Sequence, residues 1–175
     1  SMTETRPRPA LTSIELLLDA ETEALVRADW DRLAAAGMSS LAAHRAESNR
    51  PHVTLLVRPF LAPQSFAAAV AQLPVAVTLG EPILFPHGDR GVLARRVVPD
   101  AGIRRLLAAI HAEAPPGDDA PYTAPGDWTP HVTLARRLRV DRFDDALRLL
   151  GPERAGTGVA LRRWDAATSE VTALA

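Results

Sequence analysis

Apolar spacing along the chain divides it into two similar successions of elements. Leu11 to Leu18, "LTSIELLL", reads as a short apolar strand. Asp19 stands where a helix cap belongs, and Val26, Trp30, Leu33 and Ala34 then recur at i, i+4, i+7 and i+8, one face of a helix that Gly37 stops. Ser39 to Arg50 is mixed and polar and reads as a loop. His52 to Arg58 is a β-branched strand. Pro63 and Ser65 open a second helix, with Phe66, Ala69, Val70 and Leu73 at helical spacing and Pro74 ending it. Val75 to Leu79 is a further strand.

The same order then recurs. Ile83 to Phe85 and Val92 to Val98 flank "PHGDRG", the composition of a hairpin connection. Asp100 caps a helix carrying Ile103, Leu106, Leu107 and Ile110, ended by Pro115-Pro116-Gly117. His131 to Arg137 is a strand. Asp141 is placed to cap a helix with Phe143, Ala146, Leu147 and Leu150, closed by Gly151-Pro152; Val159 to Trp164 and Glu170 to Leu174 are the last strands. Each half therefore reads strand, helix, strand, helix, strand, an internal duplication of about 80 residues. Two copies are too few for a solenoid. They predict an α+β, bilobal fold in which two lobes of sheet and helix face each other across a pseudo-twofold axis.

Composition narrows the class. The 175 residues make one domain with enough apolar content (47%) to bury a core. The expected organisation is a flexible tail over residues 1–10, "SMTETRPRPA", followed by a single bilobal domain over 11–175. With a net charge of -1, an anionic ligand must be held by a local site and not by the whole surface. All 20 basic residues are arginine. The absence of cysteine excludes disulfides, thiolate metal sites and a cysteine nucleophile. No apolar run approaches the roughly 20 residues of a membrane span, and the N-terminus lacks a signal peptide's apolar centre. The expectation is a soluble, cytoplasmic monomer without a membrane or protein partner.

One pentapeptide occurs twice, once in each half: "NRPHVTLLVRP" from Asn49 and "DWTPHVTLARR" from Asp127. On a strand, residues i and i+2 share a face, so His52 points with Thr54 and His131 with Thr133. A single His-x-Thr on a strand is usually structural. Two matched copies on core strands are costly unless they line a cleft. Zinc fits this set poorly, because it wants three or four ligands and no HExxH or carboxylate cluster accompanies the histidines. A serine triad fits poorly as well, because no GxSxG elbow is present. In-line displacement at phosphorus fits: a base is wanted on one side, an acid on the other, and imidazole titrates near 6.5, so one ring can be neutral while the other is charged. The threonine hydroxyls can stabilise charge on the non-bridging oxygens. This chemistry needs no metal or other cofactor.

Paired H-x-T motifs in a bilobal chain of this size resemble the 2H phosphoesterases, and "RPHVTLLVRPF" with "WTPHVTLA" resembles the branch of 2′–5′ RNA ligases and RNA 2′,3′-cyclic phosphodiesterases. The resemblance runs from Leu11 onward. It implies His52, Thr54, His131 and Thr133 as the catalytic set. It also implies mostly antiparallel sheets with flanking helices around a central cleft, and a substrate that is an RNA end or small nucleotide bearing a cyclic phosphate or a 2′–5′ linkage. For ring opening, His131 is assigned as the base that activates water and His52 as the acid that protonates the departing ribose 3′ oxygen; ligation would exchange the roles.

Substrate contacts are read from flanking residues. The long segment from Pro115 to Trp128 leads into the second motif, so Tyr122 or Trp128 is placed to stack on a base, and Arg50 is placed to reach a phosphate. Alternation sends one of Arg95-Arg96 and one of Arg136-Arg137 toward the cleft. His44, His87 and His111 read as surface or turn histidines, with His87 the nearest of them to a ligand. Two rival readings stay open: a phosphoesterase for another cyclic phosphate such as an ADP-ribose derivative, and an RNA-end or nucleotide binding module without turnover.

Overall fold

In the computed structural model, which describes residues 10–174, the chain runs β1 (Thr12–Leu18), α1 (Ala20–Ala35), β2 (His52–Arg58), α2 (Ala67–Val70), β3 (Val75–His87), β4 (Arg90–Val97), α3 (Ala101–Glu113), β5 (Thr123–Ala124), β6 (Asp127–Trp128), β7 (His131–Arg139), α4 (Phe143–Leu147), β8 (Arg154–Asp165) and β9 (Glu170–Leu174). Apart from Ala10, the tail expected over residues 1–10 lies outside the described residues.

Both long helices start at their expected caps. The Asp19 carboxylate accepts the Thr22 amide at 2.8 Å, and that of Asp100 accepts the Ile103 amide at 3.3 Å; each satisfies an amide that the first turn leaves unpaired. The two short helices differ from expectation. Phe66 adopts a left-handed conformation (φ 50°) with its ring in the core, so α2 begins only at Ala67 and spans a single turn. Asp141 caps nothing. Its carboxylate takes both Arg139 Nε (3.1 Å) and Nη2 (2.8 Å), and α4 stops at Leu147, short of Leu150.

Seven strands form one antiparallel sheet in the order β2-β1-β8-β3-β4-β7, with β9 added to β8, and β5 and β6 pair separately as a short hairpin. That order is a palindrome of the two repeats, β1-α1-β2-α2-β3 and β4-α3-β7-α4-β8. Within each repeat the first strand pairs with the histidine strand. The last strand crosses over: β3 pairs with β4, β8 pairs with β1, and the two meet at the centre, where Val75–Leu79 faces 154–158. The lobes are therefore not contiguous halves, and they share a sheet. The strands expected separately at Val75 to Leu79 and Ile83 to Phe85 are one strand, β3. Its register breaks between Leu79 and Pro82, where it leaves β8 and takes up β4. Proline has no amide to donate and is tolerated at such a break.

The helices are exchanged too. Helix α1 of the first repeat packs on β7 of the second, and α3 packs on β2 of the first. Their inner residues, Trp30 and Leu33 from α1 and Ile103, Leu106 and Ile110 from α3, join Ile14, Leu16, Val53, Leu55, Val132 and Leu134 from the strands in one core. Burial of each such side chain contributes about 1.5–3 kcal/mol. This face also holds a buried ion cluster. Arg95 meets Asp29 Oδ2 at 2.9 Å and the Gly151 carbonyl at 2.8 Å, tying α1 to β4 and to the start of β8. The far face of the sheet carries the repeated motif. There the outer strands β2 and β7 come side by side, and the indole of Trp128, on β6 just ahead of β7, donates to the Thr54 carbonyl on β2 at 3.3 Å.

Candidate active site

Each histidine strand bulges immediately after its motif. Thr54 lies opposite Glu15 and Leu56 opposite Ile14, so Leu55 is an extra residue; Thr133 lies opposite Ala94 and Ala135 opposite Leu93, so Leu134 is extra. The duplication is therefore preserved down to a backbone irregularity. A bulge reverses the alternation that follows it. In β7 this matters: simple alternation would place Arg137 with His131 and Thr133, whereas the bulge turns Arg136 to their side.

The two rings are held alike. His52 Nδ1 lies 2.8 Å from the Arg50 carbonyl, and His131 Nδ1 lies 2.8 Å from that of Thr129. A carbonyl oxygen only accepts, so Nδ1 carries the proton in both rings and Nε2 is the nitrogen left for chemistry. The backbone under the rings is braced from the other repeat. Trp30 Nε1 donates to the Thr133 carbonyl at 3.1 Å, and His111 Nε2 donates to the Leu55 carbonyl at 2.9 Å. His111 is thus a partly buried structural donor, not the surface histidine the sequence suggests.

The floors beneath the rings differ. Beside His52, β1 and β8 bring Ser13, Glu15, Arg162 and Trp164 to the cleft face. Glu15 Oε2 accepts from Ser13 Oγ at 2.8 Å and lies 3.4 Å from His52 Nε2, while Oε1 accepts from Arg162 Nε at 2.8 Å. At the matching register positions beside His131 stand Val92, Ala94, Ile83 and Phe85. The Phe85 ring lies 4.9 Å from that of His131, centroid to centroid. Arg96, opposite His131, directs its guanidinium toward Glu81 (3.8 Å). Burial on this floor pushes the His131 pKa below its usual 6.5; the Thr129 carbonyl opposes the shift and the charge of His52 adds to it. That last influence shows the rings to be within electrostatic reach of each other.

Two cavities open at the rings and share one lining residue, Arg136. The larger, about 700 Å³, runs from His131 and Thr133 past Phe85 to His87, Arg90 and Arg137. The smaller, about 290 Å³, holds His52, Glu15, His44, Asn49, Arg162 and Trp164. Both Arg136 and Arg137 line the first cavity, where alternation would have admitted one; Arg95 is buried in the core and Arg96 is half-buried.

The other expected contacts lie elsewhere. Arg50 pairs with Glu23 at 2.9 Å and faces neither cavity; what it offers His52 is its carbonyl. Trp128 lines a separate concavity with Arg104 and Leu107, and Tyr122 is exposed on the connection that Arg58 pins to β2 through Asp119 (2.8 Å) and the Pro115 carbonyl (2.8 Å). The aromatics beside the rings are instead Phe85 and Trp164. Glu15 was also missed, its one hint being a lone acid within the apolar run "TSIELLL". Among the described residues, no three His, Asp or Glu side chains converge as a metal site would require.

A curled antiparallel sheet whose two outer strands present matched His-x-Thr pairs defines a duplicated phosphoesterase-like fold. The sequence profile of the 2′-5′ RNA ligase superfamily matches residues 22–175, and the chain belongs to that superfamily, within the 2H phosphoesterases. Among solved structures it is similar to Kluyveromyces marxianus Usb1 with uridine monophosphate (16% identity, 95% of this chain and 97% of that one, TM-score 0.50) and to Kluyveromyces marxianus Usb1 (14% identity, 94% and 97%, TM-score 0.51). At these identities the likeness concerns the fold. No curated protein matches the chain. Membership makes this a 2H phosphoesterase of a family that acts on RNA. No helix of the described residues is long and apolar enough to cross a membrane.

Proposed function

We propose that residues 11–175 act as one unit, a metal-independent phosphodiesterase that opens 2′,3′-cyclic phosphates at RNA ends or on nucleotides. The observation that carries this reading is the pair of His-x-Thr strands with their rings held by Nδ1 in the same way on unlike floors. The desolvated His131 stays neutral at physiological pH, so its Nε2 lone pair can take a proton from water as that water attacks phosphorus. His52, with a carboxylate against its Nε2, is the ring suited to carry the second proton and act as acid. The new P–O bond forms on the His131 side while the P–O3′ bond breaks on the His52 side. The 3′ oxygen takes the proton from His52 Nε2, leaving a 2′-phosphate and a free 3′-hydroxyl. Thr54 and Thr133 hydroxyls donate to the non-bridging oxygens, and Arg136, between the two cavities, supplies positive charge to the five-coordinate phosphorus. In ligation the same groups act in reverse.

The substrate class rests on family membership and on the larger cavity, whose arginines Arg90, Arg136 and Arg137 suit a phosphodiester chain. The uridine monophosphate of the yeast Usb1 structure is a ligand of the same chemical kind. The test is turnover of nucleoside 2′,3′-cyclic phosphates and of RNA ending in one, in excess EDTA, with the product identified by phosphorus NMR. A 2′-phosphate product at unchanged rate in EDTA is expected. Tight nucleotide binding without turnover, or activity abolished by EDTA and restored by a divalent ion, overturns the reading.

A further inference from the structure

The floor beneath His52 is a buried charged network that the fold does not require. Glu15 and Arg162 are each only 4% exposed, and burying such a pair brings a desolvation cost that its own attraction often fails to recover. The other repeat shows the alternative. At the same register, on the same fold, Ala94 and Ile83 stand where Glu15 and Arg162 do, and Val92 stands for Ser13. That floor folds without any buried charge on its cleft face.

The geometry of the network points at one atom. Each oxygen of the Glu15 carboxylate accepts one hydrogen bond, from Arg162 on Oε1 and from Ser13 on Oε2, which fixes the carboxylate plane. A carboxylate oxygen has room for a second donor, and the group nearest Oε2 on the cleft side is His52 Nε2 at 3.4 Å. The ring is therefore held by a carbonyl at Nδ1 and faces a carboxylate at Nε2. Both are acceptors, a setting complete only when the ring carries two protons. The charged and titratable groups around His52 are Glu15 on β1, Arg162 on β8, His131 and Arg136 on β7, and His44 from the connection before β2. Glu15 is the one carboxylate among them.

We propose that Glu15 is a positioning residue that keeps His52 doubly protonated and aimed into the cleft, so that this half-site acts as the acid and the other as the base. Arg162 anchors the carboxylate through Oε1 for that purpose, while Ser13 shares Oε2 with the histidine. The inference rests on the phosphodiesterase reading for its kinetic consequence, but the Glu15–His52 coupling exists in the free protein and can be measured without turnover.

The experiment is an NMR titration of both histidine rings in the wild type and in Glu15→Gln, with pH–rate profiles on a 2′,3′-cyclic nucleotide alongside. Glutamine keeps the shape and an oxygen for Arg162 but removes the charge. The expected result is a His52 titration midpoint lower by about one pH unit, as loss of an opposite charge at this range produces, with His131 moving by a few tenths at most. Because the acid must be protonated to act, the alkaline limb of the rate profile moves to lower pH. Activity at pH 8 relative to pH 6 falls about fivefold, in kcat with KM unchanged. Ser13→Ala, gentler to the fold, frees Oε2 for His52 and must leave that midpoint unchanged or raise it. An unchanged His52 midpoint in Glu15→Gln, or a lowered one in Ser13→Ala, overturns the proposal. A shifted midpoint in a protein that turns nothing over would support the coupling and refute the enzymatic reading separately.

Discussion

The two half-sites share almost everything except what lies under them. Both have Pro-His-Val-Thr-Leu, both bulge at the leucine, and both fix Nδ1 on the carbonyl two residues back. Beneath His52 are Ser13, Glu15 and Arg162; beneath His131 are Val92, Ala94 and Ile83, with Phe85 against the ring. Duplication supplies two identical imidazoles, but acid–base catalysis needs two different ones. The difference is made one layer down, in strands that carry no part of the motif. A charged floor suits a ring that gives a proton, and a dry floor suits one that takes it.

The largest expected effect removes a half-site altogether. His131→Ala and His52→Ala should each lower kcat/KM for a cyclic nucleotide by at least about 10²-fold, measured by steady-state kinetics at pH 7. The double variant should lose far less than the product of the two, because acid and base act in one transition state. Independent, multiplicative losses would mean that the two halves do not share a phosphate. Next comes the group common to both cavities. Arg136→Met should raise KM or lower kcat/KM by about tenfold or more, the scale of a lost charge-assisted hydrogen bond to an anion. The same change at Arg104, which lies in neither cavity, should have no such effect.

A smaller effect tests the dry floor. Phe85→Ala admits water to His131 and relieves the burial that holds its pKa down. A base with a higher pKa is neutral only at higher pH, so the acid limb of the rate profile should move upward, with activity at pH 6 falling roughly threefold. The smallest effect is on stability. Folded His131 binds a proton less readily than the unfolded chain does, so between its ordinary 6.5 and its lower folded value the unfolded state holds more protons, and stability falls as pH falls. Chemical denaturation of His131→Gln across this range should show a flatter slope than the wild type.

Much of this was legible in the sequence because it depends on short-range pattern. The caps at Asp19 and Asp100, the strand at each motif and the order of elements in each repeat follow from local spacing. What was hidden depends on partners distant in the chain. The crossing of β3 and β8 is set by which edges remain free after the first pairing, and no residue in either strand announces it. Bulges at Leu55 and Leu134 leave no local signature, yet the second brings Arg136 to the rings. Asp141 looks like a cap but prefers the guanidinium two residues away. Trp128, read as a stacking platform, uses its indole to bind the Thr54 carbonyl across the seam between β2 and β7. Glu15 reads as a stray acid in a core strand until β2 and β8 are set on either side of it.

The division of labour between the rings can be read most directly with a substrate that needs no acid. In a 2′-deoxynucleoside 3′-(4-nitrophenyl phosphate), the nitrophenolate leaves without a proton, while the attacking water still needs a base. Rates of nitrophenolate release should be nearly unchanged in His52→Ala and reduced by at least about 10²-fold in His131→Ala. Equal losses in both variants, or the larger loss at His52, would contradict the assignment of acid to the charged floor and base to the dry one.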